Sequence, residues 1–305
     1  MDCPLSWQQC GKGTGYYSGI PNCKAVPDLL FVVRAEQAKI KNGKKEEVDM
    51  AEIKRLLQSK AIVTGAAQGI GEAIARVLAR EGASVVLADI NLKGAKAVSA
   101  EIERSGATAW PLQVDVTRQQ EVTAMIRQVQ ERWGPVDILV NNAGGFFRFS
   151  SILEVPEEEW DRIMTLNIKS TFLCSQAVAK PMMERKKGRI INIASMAGLG
   201  PNPHAPTYLP YGCAKAAVIA FTKHLARELG PYGITVNTIS PSTAATPRVK
   251  RVRDAASLEK IASMNPLGRL VEPEDVAEAA LFLASAEARN ITGINLNVNA
   301  GTVMV

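Results

Sequence analysis

Ala61-Ile62-Val63-Thr64-Gly65-Ala66-Ala67-Gln68-Gly69-Ile70-Gly71 joins a short apolar run to three glycines spaced Gly-x3-Gly-x-Gly. An apolar stripe at Ile70, Ile74, Val77 and Leu78 follows at helical spacing. The segment predicts a buried strand, a tight turn and a helix whose first turn begins at the glycines. Glycine at 65 permits backbone angles that a Cβ forbids, while Gly69 and Gly71 let the chain approach a ligand and the helix approach the sheet. The amide groups and positive dipole end of that helix favour a phosphate over the turn. Alone the turn is weak evidence, because many strand-to-helix turns carry glycine for packing. Ser84-Val85-Val86-Leu87-Ala88 adds a second feature, a strand ending in Asp89, eighteen residues past Gly71. An acid about 20 residues beyond the turn is where a dinucleotide fold holds the adenosine ribose hydroxyls. The competing reading makes Asp89 a cap for the helix starting near Leu92.

Outward from this unit, strand-like runs recur near 60–64, 84–89, 108–114, 136–140, 189–194, 234–239 and 294–298. Helical runs lie near 69–81, 92–104, 118–133, 157–184, 211–229 and 273–284. Apolar strands without alternation are buried on both faces, which means a parallel sheet covered by helices. The expected fold is α/β: a single Rossmann-type domain, doubly wound, with a seven-stranded parallel sheet and helices on both faces. Residues 1–49 stand outside this rhythm, and the domain is expected over 50–305. For the extension an overlong start assignment is favoured over a disordered extension or a small accessory segment; Met50 would make an ordinary start.

The chain has 305 residues, 47% hydrophobic, and a net charge of +6. No apolar run approaches the ~20 residues that span a bilayer, and the N-terminus lacks the layout of a signal peptide. The five cysteines and two histidines show no ligand spacing, so no metal site and a reducing, cytoplasmic setting are expected. Basic residues are scattered apart from Arg248, Lys250, Arg251 and Arg253, and nothing resembles a recognition helix, so nucleic acid is not an expected partner.

Tyr211-Gly212-Cys213-Ala214-Lys215 opens a strongly apolar helical run. Residues four apart share a helix face, so the Tyr211 hydroxyl and the Lys215 ammonium can serve one site. A phenol is a poor base at neutral pH, and a nearby cation favours its ionised form. Such a tyrosine can exchange a proton with a substrate oxygen. Together with the glycine turn, Asp89, Asn141-Asn142-Ala143-Gly144, Asn167, Ser195 and Pro241 to Thr246, the chain resembles the classical short-chain dehydrogenases/reductases over about residues 58–301.

The resemblance implies a role for each matching residue. Tyr211 is the general acid/base, Lys215 lowers its pKa and bonds the nicotinamide ribose, and Ser195 orients the substrate oxygen. Asn167 holds a helix bend and a water linking Lys215 to solvent. The cofactor would lie on Gly65, Gln68, Gly69, Ile70 and Gly71, with Asp89 at its ribose and Asp115 and Val116 at its adenine. Asn142, Ala143 and Gly144 would run beneath it, and Thr246 would meet the nicotinamide amide. Taken singly, a serine such as Ser195 is more often a turn residue and an asparagine such as Asn167 a capping or packing amide, and Asp115 also reads as a strand end before a Thr117 cap. Ala214, Ser242 and Asn299 depart from the family pattern, as does a longer, proline-rich span from Ser195 to Tyr211 that includes Tyr208.

The expected function is hydride transfer between NAD(H) and a secondary alcohol/ketone pair. The alternative is an idle nucleotide-binding subunit with a structural or regulatory role. NAD is expected over NADP because Asp89 repels a 2′-phosphate, and Gln68, Ile90 and Asn91 occupy the positions where a basic side chain would rescue it. Lys93 is expected to face solvent. Phe146, Phe147 and Phe149 line either an apolar pocket or the core. The basic cluster falls in the family's lid segment, where a solvated face is favoured over contact with an anionic substrate or thioester. A homo-oligomer, dimer or tetramer, is the expected assembly.

Overall fold

The computed structural model describes residues 54–147, 151–201 and 209–304. Seven strands form one parallel sheet in the order β3-β2-β1-β4-β5-β6-β7. They are β1 (Lys60–Thr64), β2 (Ser84–Asp89), β3 (Ala109–Gln113), β4 (Ile138–Asn141), β5 (Gly188–Ile193), β6 (Ile234–Pro241) and β7 (Asn295–Val298). The helices are α1 (Gly69–Arg80), α2 (Leu92–Arg104), α3 (Gln119–Trp133), α4 (Glu157–Met164), α5 (Ser170–Arg185), α6 (Leu209–Leu229), α7 (Pro247–Val252), α8 (Ala255–Met264) and α9 (Pro273–Ala284). The expectations for residues 1–49 and for Phe149 and Tyr208 fall outside the described residues.

Alternate residues along the inner strands feed two separate cores, which is why these strands read as unbroken apolar runs. Ala61, Val63, Val85 and Leu87 pack beneath α1, α2 and α9. Ile62, Val86, Ala88 and Leu139 pack beneath α3, α5 and α6. Chain order reverses between β1 and β4, the switch point where an open α/β sheet leaves a crevice at its strand ends. Among the described residues no helix is long and apolar enough to cross a membrane.

Three differences from expectation have physical causes. The single helix expected over 157–184 is broken by a π-turn, Thr165–Lys169, because the Asn167 side chain bonds backbone outside the helix. The helix expected from 211 begins at Leu209, with Pro210 in the first turn, where its missing N–H costs nothing. α7 and α8 were not foreseen as regular elements; Thr246 and Asp254 cap them, accepting from the Val249 and Ser257 amides.

Asp137 ties the bottom of the sheet together. Its carboxylate accepts from the Lys60 amide at 3.0 Å and from Arg185 at 2.9 Å, with Lys187 at 3.4 Å. Burial pushes its pKa up, but the Lys60 amide, Arg185 and Lys187 outweigh burial and hold it below the ordinary carboxylate value. Its stabilisation is therefore complete above the unfolded carboxylate range near ~4 and is lost as pH falls through the folded value. Asp137→Asn should cost about 1–3 kcal/mol at pH 7. In thermal unfolding the deficit should shrink in strongly acid solution; an equal deficit at both pH values would contradict the assignment.

Candidate functional site

The glycine turn leaves no room for side chains. A Cβ on Gly71 would lie 2.2 Å from the Gly65 carbonyl oxygen and 2.4 Å from Asn142 Nδ2. Gly65 and Gly69 adopt φ of +65° and +62°, the left-handed region that glycine occupies without strain. Gln68, the N-cap of α1, makes no side-chain capping bond, so the first-turn amides are left facing the crevice. By contrast, the Asn91 side chain caps α2 by accepting from the Gly94 amide at 3.1 Å. That corrects the reading of Asp89 as the cap of this helix. Asp89 Oδ2 accepts from the Ala67 amide at 2.9 Å and Oδ1 from the Asn91 amide at 2.8 Å. Each carboxylate oxygen has two acceptor sites, so capacity remains for a pair of hydroxyls.

Asp115 carries the turn role foreseen as its alternative. Its Oδ1 accepts from the Thr117 amide and hydroxyl, at 2.9 and 2.6 Å. Thr117 does not cap α3, whose N-cap is Arg118. Asp115 and Val116 nonetheless form a wall of the crevice beside Asp89. Asn142 Nδ2 donates to the carbonyls of Thr64 and Gly65, at 2.9 and 3.0 Å, fastening the β4 turn to the glycine turn.

Farther along, α6 brings up Tyr211 and Lys215. The Lys215 ammonium is buried, donates to the Ile193 carbonyl at 2.7 Å, and lies 5.7 Å from the centre of the Tyr211 ring. Desolvation pushes its pKa down from 10.5 to about 8. Ser195 begins the turn after β5, its hydroxyl accepting from the Ala197 amide at 3.2 Å. A Cβ on Gly198 would fall 2.6 Å from the Lys215 carbonyl carbon, so this turn presses directly on α6. Fully buried Asn167 donates to the Gly145 and Ile163 carbonyls and accepts from the Gly145 amide, at 2.8, 2.9 and 2.9 Å. Lys215 Nζ and Asn167 Oδ1 crowd the same face of Gly144, at 3.2 and 2.7 Å from where a Cβ would stand.

Of the sequence-predicted residues, all but Asn167 line one cleft of about 1150 Å³: Gly65, Gln68, Gly69, Ile70, Gly71, Asp89, Asp115, Val116, Asn142, Ala143, Gly144, Ser195, Tyr211, Lys215 and Thr246. Asn167 stands behind the wall and reaches it through Gly145. Phe146 and Phe147 also line the cleft, and the Phe146 ring meets Tyr211 edge-on at 5.2 Å. Arg162 stacks on the Phe147 ring at 3.7 Å.

The basic cluster divides. Arg248 lies over the Phe146 ring and donates to its carbonyl, Arg251 donates to Gln68 Oε1 at 3.4 Å, and Arg253 lines the cleft. Sequence reading missed Cys213, Asp254 and Ser257 as cleft residues. The capping pattern Asp254-x-x-Ser257 was the signal for the last two.

The cleft suits an extended ligand that is anionic in the middle and polar at both ends. A glycine cradle without Cβ atoms, an uncapped helix start and the strand-end carboxylate of Asp89 occupy one end. At the other, Ser242 Oγ is buried without a hydrogen-bond partner and also lines the cleft. These features fit a nicotinamide dinucleotide. Among the described residues no group of three metal-ligating side chains occurs.

A family model described as enoyl-(acyl carrier protein) reductase matches residues 65–303. The 3-oxoacyl-(acyl-carrier-protein) reductase FabG of Vibrio cholerae serotype O1 is 41% identical over 245 residues, covering 80% of this chain and 97% of that protein. A solved 3-oxoacyl-(acyl-carrier protein) reductase with bound NAD from Brucella melitensis superposes with TM-score 0.74 at 33% identity, covering 82% of this chain and 95% of the other. A second Brucella melitensis structure, described as ribose-5-phosphate isomerase, gives TM-score 0.75 at 38% identity, covering 81% and 93%. Fold likeness alone does not choose a reaction, and the activities named for these two structures differ. The family match, the reductase relatives and the residues lining the cleft agree: the chain is an oxidoreductase and belongs to the short-chain dehydrogenase/reductase family.

Proposed function

We propose that this chain transfers a hydride between NAD(H) and a secondary alcohol/ketone pair, with Tyr211 exchanging the proton, and that the pair is a 3-hydroxyacyl/3-oxoacyl thioester. The observation that carries this reading is the meeting of Tyr211, buried Lys215 and Ser195 in the cleft whose other end holds the glycine turn and Asp89. When bound, the nicotinamide supplies or accepts the hydride. The Ser195 hydroxyl orients the carbonyl oxygen and stabilises charge growing on it. In reduction Tyr211 gives its phenolic proton to that oxygen; in oxidation the phenolate takes the proton back. Lys215 favours the phenolate electrostatically, and Asn167 holds the Gly144–Gly145 backbone against the Lys215 ammonium.

The thioester is supported by the 3-oxoacyl reductase relatives and by the apolar wall of Phe146 and Phe147 beside Tyr211. The same reading expects a cytoplasmic homo-oligomer, dimer or tetramer. Phe172 on α5, 41% exposed and in edge contact with Phe221 on α6, offers apolar surface for a second copy.

Tyr211→Phe removes one oxygen and should leave NADH binding, read by fluorescence, intact. Turnover on a 3-oxoacyl thioester should fall by ~10²–10⁴; near-normal turnover would remove Tyr211 as proton carrier.

A pH profile tests Lys215. While charged, below about 8, the ammonium lowers the pKa of the Tyr211 phenol. Lys215→Met should therefore move the apparent pKa governing alcohol oxidation upward, by about one unit or more. An unmoved profile with only reduced amplitude would deny the electrostatic role.

Cofactor choice tests Asp89. Its carboxylate can accept from the ribose hydroxyls and repels a 2′-phosphate, so kcat/KM for NADH should exceed that for NADPH by at least ~10-fold, about 1.4 kcal/mol. Equal use of the two, or preference for NADPH, would overturn Asp89 as the ribose ligand.

A further inference from the structure

Arg248, the second residue of α7, is exposed at the mouth of the cleft and lines it. Its guanidinium is turned back onto the wall. Nη2 donates to the Phe146 carbonyl, and the guanidinium carbon lies 5.4 Å from the centre of the Phe146 ring. A Cβ on Gly145 would fall 2.3 Å from Nη1, so this glycine leaves open the space that the guanidinium fills. The Gly145 amide and carbonyl are themselves held by Asn167, at 2.9 and 2.8 Å. Arg248 therefore closes on a stretch of backbone already anchored to the π-turn.

The residue it grips meets the chemistry. The Phe146 ring stands edge-on to Tyr211 at 5.2 Å, and both rings line the cleft. Neighbouring Phe147 is stacked by Arg162 of α4 at 3.7 Å. α7 is also pinned at its start, where Thr246 caps it and places its methyl 3.2 Å from where a Cβ on Gly69 would stand. One short helix thus runs from the glycine turn to the ring beside Tyr211. A phenylalanine restrained at its carbonyl and at its ring by one guanidinium stays where α7 puts it.

We propose that Arg248 is a positioning residue: it clasps α7 to Phe146 and holds that ring as the wall limiting substrate bulk beside the reacting carbon. This rests on the reading of Tyr211 as the proton carrier, because a carbonyl bonded to the Tyr211 hydroxyl brings a substituent beside the Phe146 ring. The substrate that fits is a 3-oxoacyl thioester unbranched next to its ketone. Arg248 selects it through the ring and not by charge, since the acceptor it holds is a neutral carbonyl.

The test uses the full chain, NADH and two neutral N-acetylcysteamine thioesters, 3-oxobutanoyl and 2-methyl-3-oxobutanoyl. The native protein should favour the unbranched one in kcat/KM by about tenfold or more, the discrimination one methyl group can supply. Arg248→Met keeps the length without the donors; it should raise KM for the unbranched thioester and shrink that ratio by about fivefold. Arg248→Lys can still donate to the carbonyl and should restore part of the ratio. Phe146→Ala should relax the ratio as far, and adding Arg248→Met to it should change the ratio by less than about twofold, because both act through one ring. Equal use of the two thioesters by the native protein, an equal loss on both in Arg248→Met, or additive relaxation in the double variant would overturn the proposal. A KM rise confined to the CoA thioester of the same acyl group would make Arg248 an anion ligand and overturn it as well. The clasp also has a readout without turnover: Arg248→Met should speed tryptic cleavage after Lys250 and Arg251 by about tenfold as α7 opens. An unchanged rate would contradict the clasp. Failure of the Tyr211 reading shows separately, as near-normal turnover in Tyr211→Phe, and leaves the tryptic result in force.

Discussion

The structure depends on one near-contact: Gly71 against the carbonyl of Gly65 and the amide of Asn142, a gap that no Cβ can enter. It lets α1 begin directly on the end of β1. It also brings the β4 turn close enough for Asn142 to donate to both Thr64 and Gly65, while the Thr64 hydroxyl accepts from the Asn142 and Ala143 amides at 3.0 Å each. With β1 and β4 fastened there, the crevice at the switch point has a rigid floor. The Asp89 corner and the Lys215 ammonium are positioned against the two turns so joined.

A second constraint runs through the sheet behind this floor. Asn141 donates to Ser175 and to Asn192, Asn192 donates to Thr222, and the Thr238 hydroxyl donates to Thr222, at distances between 2.7 and 3.0 Å. These buried amides and hydroxyls link β4, β5 and β6 to α5 and α6. Each bond contributes only about 1 kcal/mol net, but a shift of α6 would strand several buried polar groups at once, each at a cost of about 1–3 kcal/mol. The network therefore specifies where α6 lies along β5, and with it the reach of Lys215 to the Ile193 carbonyl.

Most of the scaffold was legible because its causes are local. Unbroken apolar runs such as Ile62–Val63 and Val85–Leu87 report burial on both faces, and the Gly65, Gly69 and Gly71 spacing reports a turn without side chains. Tyr211 and Lys215 could be paired from helical spacing alone. What escaped reading has tertiary causes. Thr165-Leu166-Asn167-Ile168-Lys169 contains no glycine or proline to announce a broken helix; the π-turn exists because Asn167 finds the Gly145 backbone. The destination of Arg251 depends on how α7 folds back, which no spacing encodes over 183 residues. Asp89 was legible as a strand-end acid, but its bond to the Ala67 amide, which orients it, was not.

The π-turn has an evolutionary consequence. A π-turn carries one residue more than the α-helical path it interrupts, and each residue of a helix is worth about 100° of rotation. Five residues in the wider π-turn rotate the chain about as far as four α-helical ones, so deleting a single position between 165 and 169 would restore a regular helix and leave the residues beyond it on their faces. Asn167 would leave the Gly145 backbone, while Phe172 would keep the face it shares with Phe221. The brace behind the cleft thus hangs on one inserted residue and on the asparagine it aims, and it can be lost without disturbing the exposed apolar face of α5.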